Sequence, residues 1–205
     1  MKPDEMIQHI KSVLVEEAQG ILSIEDQIDA SFVQAVQLIR GCRGHVLVTG
    51  SGTSSSVARR MAHLLSCCGV PALFIDAGDG QHGLSGAVMS ADCLIAFSKG
   101  GSTKEVIILA KVAKEKGASL ISVCEKPESE LGRISDIVLK ITAASEVDPY
   151  GMIATGSSLI NSAVGDALCV TLLKLNNYSV EAFGKTHPGG AVGQKISELN
   201  KDKKG

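Results

Sequence analysis

The chain is poor in aromatic side chains: it has no Trp, two Tyr and four Phe in 205 residues. Proteins that grip single-stranded nucleic acid stack bases on such rings, so the composition argues against that class. An excess of basic residues is also missing. Twenty Lys and Arg stand against 22 Asp and Glu, for a formal net charge of −2. Neutralising DNA or anionic lipid takes a cationic footprint, so nucleic acid and membrane surfaces are not expected partners. Any phosphorylated ligand would have to be held by local geometry. The six cysteines (Cys42, Cys67, Cys68, Cys93, Cys124 and Cys169) form no CxxC pair, and most sit in apolar segments. They read as small buried hydrophobes in a reducing compartment rather than as disulfides or zinc ligands. The five histidines (His9, His45, His63, His82 and His187) show neither HxxxH nor HxH spacing, so no metal is expected. No run reaches the roughly 18 apolar residues of a membrane span. The N-terminus, residues 1–5, carries acids and lacks the apolar core of a signal peptide. A cytoplasmic protein is expected.

What is present is a globular composition, 44% apolar and 20% charged, long enough for one domain with a helical extension. Residues 1–41 read as two helices packing on the core or on a neighbouring subunit. Ile7, Ile10, Leu14, Ala18 and Ile21 recur at helical spacing, as do Phe32, Val36 and Ile39, with Asp29 or Ser31 as a cap. Residues 42–197 then alternate. Strands are expected at 46–49, 71–75, 94–97, 119–124 and 137–141. Helices are expected at 57–68, 105–116, 129–135 and about 157–175, with a Gly-rich loop over 77–86. Residues 198–205 read as a charged, solvated tail. Short apolar strands alternating with helices predict an α/β fold: a three-layer α-β-α sandwich around a mainly parallel five-stranded sheet.

Two Gly-rich loops follow strands in this pattern. The first is Gly50-Ser51-Gly52-Thr53-Ser54-Ser55-Ser56; the second is Ser98-Lys99-Gly100-Gly101-Ser102-Thr103. A strand–loop–helix junction aims free backbone N–H groups and the positive end of a helix dipole at one point. Two of them at one sheet edge would cradle a phosphate. Gly50-x-Gly52 with Asp76 some 24 residues beyond Gly52 also resembles a dinucleotide fingerprint, but Ser55 occupies the third glycine position. Four successive hydroxyls suit a monophosphate better. Ser102-Thr103-Lys104-Glu105 fits a capping box, with Glu105 reaching back to Ser102. The candidate phosphate-binding set is Gly52, Thr53, Ser54, Ser55, Ser98, Lys99, Gly100, Ser102 and Thr103.

Together the loops resemble those of the sugar isomerase (SIS) domain family, which pairs a GxGxS-like loop with an SxSGxT loop around a sugar phosphate. Within it, the arabinose 5-phosphate isomerase group is the most similar. The likeness runs through His82-Gly83, residues 146–151, residues 165–168 and His187-Pro188-Gly189-Gly190-Ala191. It departs at Thr53, where the group has Lys, at Gly100, where it has Ser, and at Ser102, where an acid is common; Lys99 or Lys104 could supply the charge. The resemblance implies the SIS fold and interconversion of ribulose 5-phosphate and arabinose 5-phosphate. It also implies a homotetramer with active sites between subunits. The family's appended CBS domains are not expected in so short a chain. Carried over by motif, His82, Glu105, Glu146 and His187 are the expected catalytic residues, with no cofactor. Non-catalytic sensing of a sugar phosphate, or isomerisation of another pentose or hexose phosphate, are the alternatives.

Such an isomerisation moves a carbonyl between C1 and C2 through a cis-enediol. It needs a base near its working pH, either a carboxylate raised by burial or a neutral imidazole, and an acid for the oxygens. Glu146 or His187 is expected to transfer the carbon-bound proton, with His82 assisting ring opening or carbonyl polarisation and Glu105 orienting or sharing protons.

Overall fold

A computed structural model describes residues 1–143, 146–191 and 193–196. The expected tail at 198–205 lies outside them. Two N-terminal helices, α1 (Pro3–Leu22) and α2 (Ala30–Arg40), precede the alternating part. It runs β1 (Val46–Gly50), α3 (Thr53–Cys67), β2 (Ala72–Phe74), α4 (Ala77–Gly80), β3 (Cys93–Phe97), α5 (Lys104–Glu115) and β4 (Ser119–Cys124). It continues with α6 (Glu130–Ile134), β5 (Ile137–Lys140), α7 (Gly156–Leu175) and α8 (Val180–Thr186). Asp29 caps α2, accepting from the Ser31 backbone at 2.8 Å.

The five strands form one parallel sheet in the order β2-β1-β3-β4-β5. Strands β1 and β3 are buried along their whole length, as expected of a parallel sheet covered on both faces. On one face Val46, Val48, Ile95, Phe97, Ile121 and Val123 pack in a core shared with α2, α3 and α7. On the other, Leu47, Leu94, Ala96 and Leu120 pack beneath α5 and α6. The three-layer sandwich is therefore present.

Several local expectations are corrected. Helix α3 begins at Thr53, four residues before the expected start, so the hydroxyl run lies in its first turn. The expected loop over 77–86 contains the one-turn helix α4 and a 3-10 turn at Leu84–Ala87. Helix α7, at 20 residues, is long and apolar enough to cross a membrane by length and composition alone, where no such run was expected. It packs instead against α3, α1 and α2, burying Ile160, Val164, Leu168 and Leu172 in the core, and its Asp166 pairs with Arg60 of α3 at 2.6 Å. Helix α1 has the predicted stripe but no buried residue: Ile7, Ile10 and Leu14 are all about half exposed or more. The side-chain amide of Gln27 pairs with the backbone of Thr142 in both directions, at 3.0 and 2.8 Å, tying the N-terminal region to the chain just beyond β5. All six cysteines are free thiols; burial pushes those of Cys93 and Cys169 up to about 12.

Candidate active site

The strand order turns back between β1 and β3, and in open α/β sheets ligands bind beyond the strand ends at such a switch point. The two Gly-rich loops follow these two neighbouring strands, whose last residues Gly50 and Phe97 pair in register.

In the first loop, backbone conformation opens the helix. A side chain at Gly50 would stand 2.6 Å from the Ser54 carbonyl oxygen, so α3 can start against the strand end only over glycine. Gly52 has φ 57° and ψ −131°, a conformation that favours glycine, with open space where a Cβ would lie. Helix α3 carries no side-chain cap at Gly52 and no acid in its first turn. The N–H groups of Thr53 and Ser54 belong to the set that a helix start leaves without intrahelical partners. Ser55 is turned inward: both its N–H, at 3.0 Å, and its hydroxyl, at 2.7 Å, donate to the Gly52 carbonyl. Thr53 is exposed and Ser54 half-buried at this helix start.

The second loop closes on itself. Ser98, 3% exposed, places its hydroxyl 2.9 Å from that of Thr103. The capping box is not formed. Thr103, not Ser102, is the N-cap of α5, which puts Glu105 second rather than third in the helix. With its hydroxyl engaged by Ser98, Thr103 starts the helix one residue too late for the box. Glu105 stays half-buried in the first turn, next to the loop.

Lys99 and Glu146 meet at this edge. The Lys99 ammonium donates to Glu146 Oε1 at 2.7 Å, and the Glu146 side chain is only 4% exposed. The same carboxylate accepts the Ser157 hydroxyl at 2.5 Å and the Ser157 backbone N–H at 3.0 Å, from the first turn of α7. Burial by itself would raise the Glu146 pKa. The Lys99 and Ser157 donors outweigh burial and hold the group below its ordinary value. The raised carboxylate expected of a general base is therefore not found at Glu146. Ser157 was not read from the sequence; its one signal is a hydroxyl at the start of a long helix.

His82 is exposed in the turn after α4. His187 follows α8, its ring stacked on Phe183 at 3.9 Å, with Nδ1 3.0 Å from the Phe183 carbonyl and Nε2 3.4 Å from Cys67 Sγ. Cys67 is the last residue of α3 and Thr53 the first, some 21 Å apart at 1.5 Å per residue. One chain therefore does not bring His187 to its own phosphate cradle. Asp76, the acid of the dinucleotide reading, caps α4 through the Gly78 and Asp79 N–H groups and faces Arg59 at 3.7 Å, which leaves it poorly placed to hold a ribose.

The model of the SIS domain matches residues 38–171. The chain belongs to the SIS domain family. It is 35% identical over 186 residues to the arabinose 5-phosphate isomerase KdsD of Escherichia coli K12, covering 91% of this chain and 57% of that protein. The Pseudomonas aeruginosa KdsD is 32% identical over 180 residues, covering 88% of this chain and 55% of that protein. The chain thus spans little more than half the length of these curated relatives. Among solved structures, an E. coli CFT073 protein in complex with arabinose 5-phosphate superposes with a TM-score of 0.89 at 29% identity, covering 92% of this chain and all of that one. A sugar-phosphate isomerase candidate from Listeria monocytogenes superposes with a TM-score of 0.89 at 35% identity, with the same coverage.

Proposed function

We propose that this SIS domain is an aldose–ketose isomerase of a phosphorylated sugar, interconverting D-arabinose 5-phosphate and D-ribulose 5-phosphate through a cis-enediol. The observation that carries the reading is the crevice at the β1–β3 switch point. There an uncapped helix N-terminus after β1 and a hydroxyl-rich loop after β3 follow neighbouring strands, and a buried carboxylate meets an ammonium of the second loop. The likeness to the KdsD proteins and to a structure holding arabinose 5-phosphate supports the choice of sugar.

In this reading the phosphate sits on the N–H groups of α3 with Gly52, Thr53 and Ser54, while Ser55 holds the turn through the Gly52 carbonyl. Ser98, Gly100, Ser102 and Thr103 close the other side. The dianion is held by oriented dipoles, in keeping with a chain that has no cationic surplus. Glu105, half-buried beside the second loop and free of an ion pair among the described residues, replaces Glu146 as the carboxylate base. His82 assists ring opening. His187 serves the cradle of a neighbouring copy, so that the working enzyme is a homo-oligomer, a tetramer with shared sites. The exposed stripe of α1 and an apolar groove of about 700 Å³, between Ile21, Ile28, Phe32, Val33, Leu168 and Leu175, offer the surface for assembly. A cytoplasmic location belongs to the same reading.

Proton NMR of the protein with ribulose 5-phosphate in heavy water tests it. Arabinose 5-phosphate carrying deuterium at C2 is the expected product. Absence of any aldose phosphate, with binding retained, would instead favour a sensor. Light scattering tests the assembly: a monomer at micromolar concentration would sink the shared-site arrangement.

A further inference from the structure

Enolisation needs a base for the C–H proton and also a donor for the carbonyl oxygen, on which negative charge develops. The loop carrying Lys99 provides one. An ammonium has three N–H donors. One is spent on Glu146 Oε1 at 2.7 Å, and the side chain, 46% exposed, leaves the others open just beyond the end of β3. The pair is asymmetric, with a carboxylate that is nearly sealed behind and an ammonium that is half open in front. Neither end is loose. Glu146 is fixed by two donors from Ser157 at the start of α7, and the backbone carbonyl of Lys99 is held by the Glu125 N–H at 2.9 Å. This Lys is a clamped donor rather than a solvated surface cation.

Charge argues against Lys99 as the phosphate clamp expected from the sequence. An ammonium already paired with a buried carboxylate belongs to a neutral pair, which exerts little pull on a dianion but still donates a directional hydrogen bond. The phosphate has its own dipole site at α3. We propose that Lys99 is a catalytic residue whose ammonium, positioned by Glu146 and Ser157, polarises the carbonyl oxygen of the sugar.

This rests on the isomerase reading above. In the aldose-to-ketose direction, the base removes the C2 proton and the freed pair forms the C1–C2 double bond. The carbonyl π pair moves to O1, which takes a proton from the Lys99 ammonium. The resulting amine then accepts the O2 hydroxyl proton as C2–O2 becomes the new carbonyl, and the base returns its proton to C1. Every proton is restored, and no oxidant or reductant is required. Glu146 is then a positioning residue, in keeping with a carboxylate already occupied by three donors.

The test compares wild type, Lys99→Met and Lys99→Arg. It measures kcat and KM for ribulose 5-phosphate, and Kd for inorganic phosphate and for arabitol 5-phosphate, a polyol with no carbonyl. Lys99→Met should lower kcat by about 100-fold or more, the usual worth of a positioned proton donor. Both dissociation constants should stay within about two-fold, and Lys99→Arg should recover part of kcat. A weakened phosphate Kd with kcat retained would return Lys99 to the phosphate and overturn the proposal, as would unchanged kcat. If Lys99→Met does not fold by circular dichroism, Lys99→Gln, which keeps a donor for Glu146, must show the same split. A wild type without turnover on any ketose phosphate would overturn the isomerase reading together with this one. Turnover in wild type with full kcat in Lys99→Met overturns only this one.

Discussion

Gly101, in the second loop, allows the sharpest test of how the site is built. It has φ 65°, and a Cβ there would stand 2.5 Å from the Ser129 Cβ and closer still to its Oγ. Ser129 caps α6, accepting from the Gly132 N–H at 3.2 Å. Gly101→Ala therefore carries three costs. A side chain in the left-handed region costs about 1–2 kcal/mol. The Cβ–Cβ overlap cannot be relieved by rotating Ser129, so backbone must shift, at about 1–3 kcal/mol for overpacking. Turning the Ser129 hydroxyl away loses an N-cap worth about 1 kcal/mol. The total, about 3–6 kcal/mol, is a large part of the roughly 5–15 kcal/mol of a typical domain. The neighbouring Gly100 has no positive φ, and a Cβ there meets only the Ser102 Oγ at 3.6 Å. Gly100→Ala should stay within about 0.5 kcal/mol of wild type. Urea denaturation of both variants measures the difference. Ser129→Gly, introduced into Gly101→Ala, removes the overlap and keeps an acceptable cap residue, so it should restore about half of the loss. Equal stability of Gly100→Ala and Gly101→Ala, or no recovery in the double variant, would refute the reasoning.

The Glu146 carboxyl has its pKa lowered by folding, so the stability it contributes is present above the unfolded-state value near 4.3 and is lost as pH falls through the lower folded value. Denaturation midpoints measured downward from about pH 5 should fall less steeply in Glu146→Gln than in wild type, and identical slopes would count against the Lys99–Ser157 arrangement. Cys42 and Cys67 are half-buried, whereas Cys68, Cys93, Cys124 and Cys169 are buried. A thiol reagent should label at most those two in the native protein and all six in urea, with mass spectrometry locating the labels; early labelling of Cys93 would contradict the packing. Gln27→Ala removes the paired hydrogen bonds to Thr142 and should cost about 1–2 kcal/mol in a melt. A variant as stable as wild type would mean that the N-terminal region is not anchored there.

The features legible in the sequence are those encoded over a few neighbouring residues. Strands β1, β3 and β4 were visible because burial on both faces demands an uninterrupted apolar run, and Gly117, at φ 86°, lies just past the end of α5. Thr53 to Ser56 disguised the start of α3, because hydroxyl residues favour caps and turns. Here Gly52 and the close approach at Gly50 fix the helix start in spite of them. Helix α4, four residues long, is too short to show a periodicity. Ser102 to Glu105 matched a capping box whose geometry is decided by Ser98, a residue outside the motif. The chemistry of the site was the hardest part to see. Lys99 and Glu146 are 47 residues apart, and Ser157 lies a further 11 along the chain. They meet only because the sheet places β4 and β5 on the far side of β3 from β1, and the chain beyond β5 returns to the end of β3 before starting α7. A motif located Lys99 and Glu146 separately and suggested a phosphate clamp and a base. Their contact makes each alter the other's chemistry: the buried carboxylate neutralises the clamp, and the ammonium takes away the raised basicity that the base required.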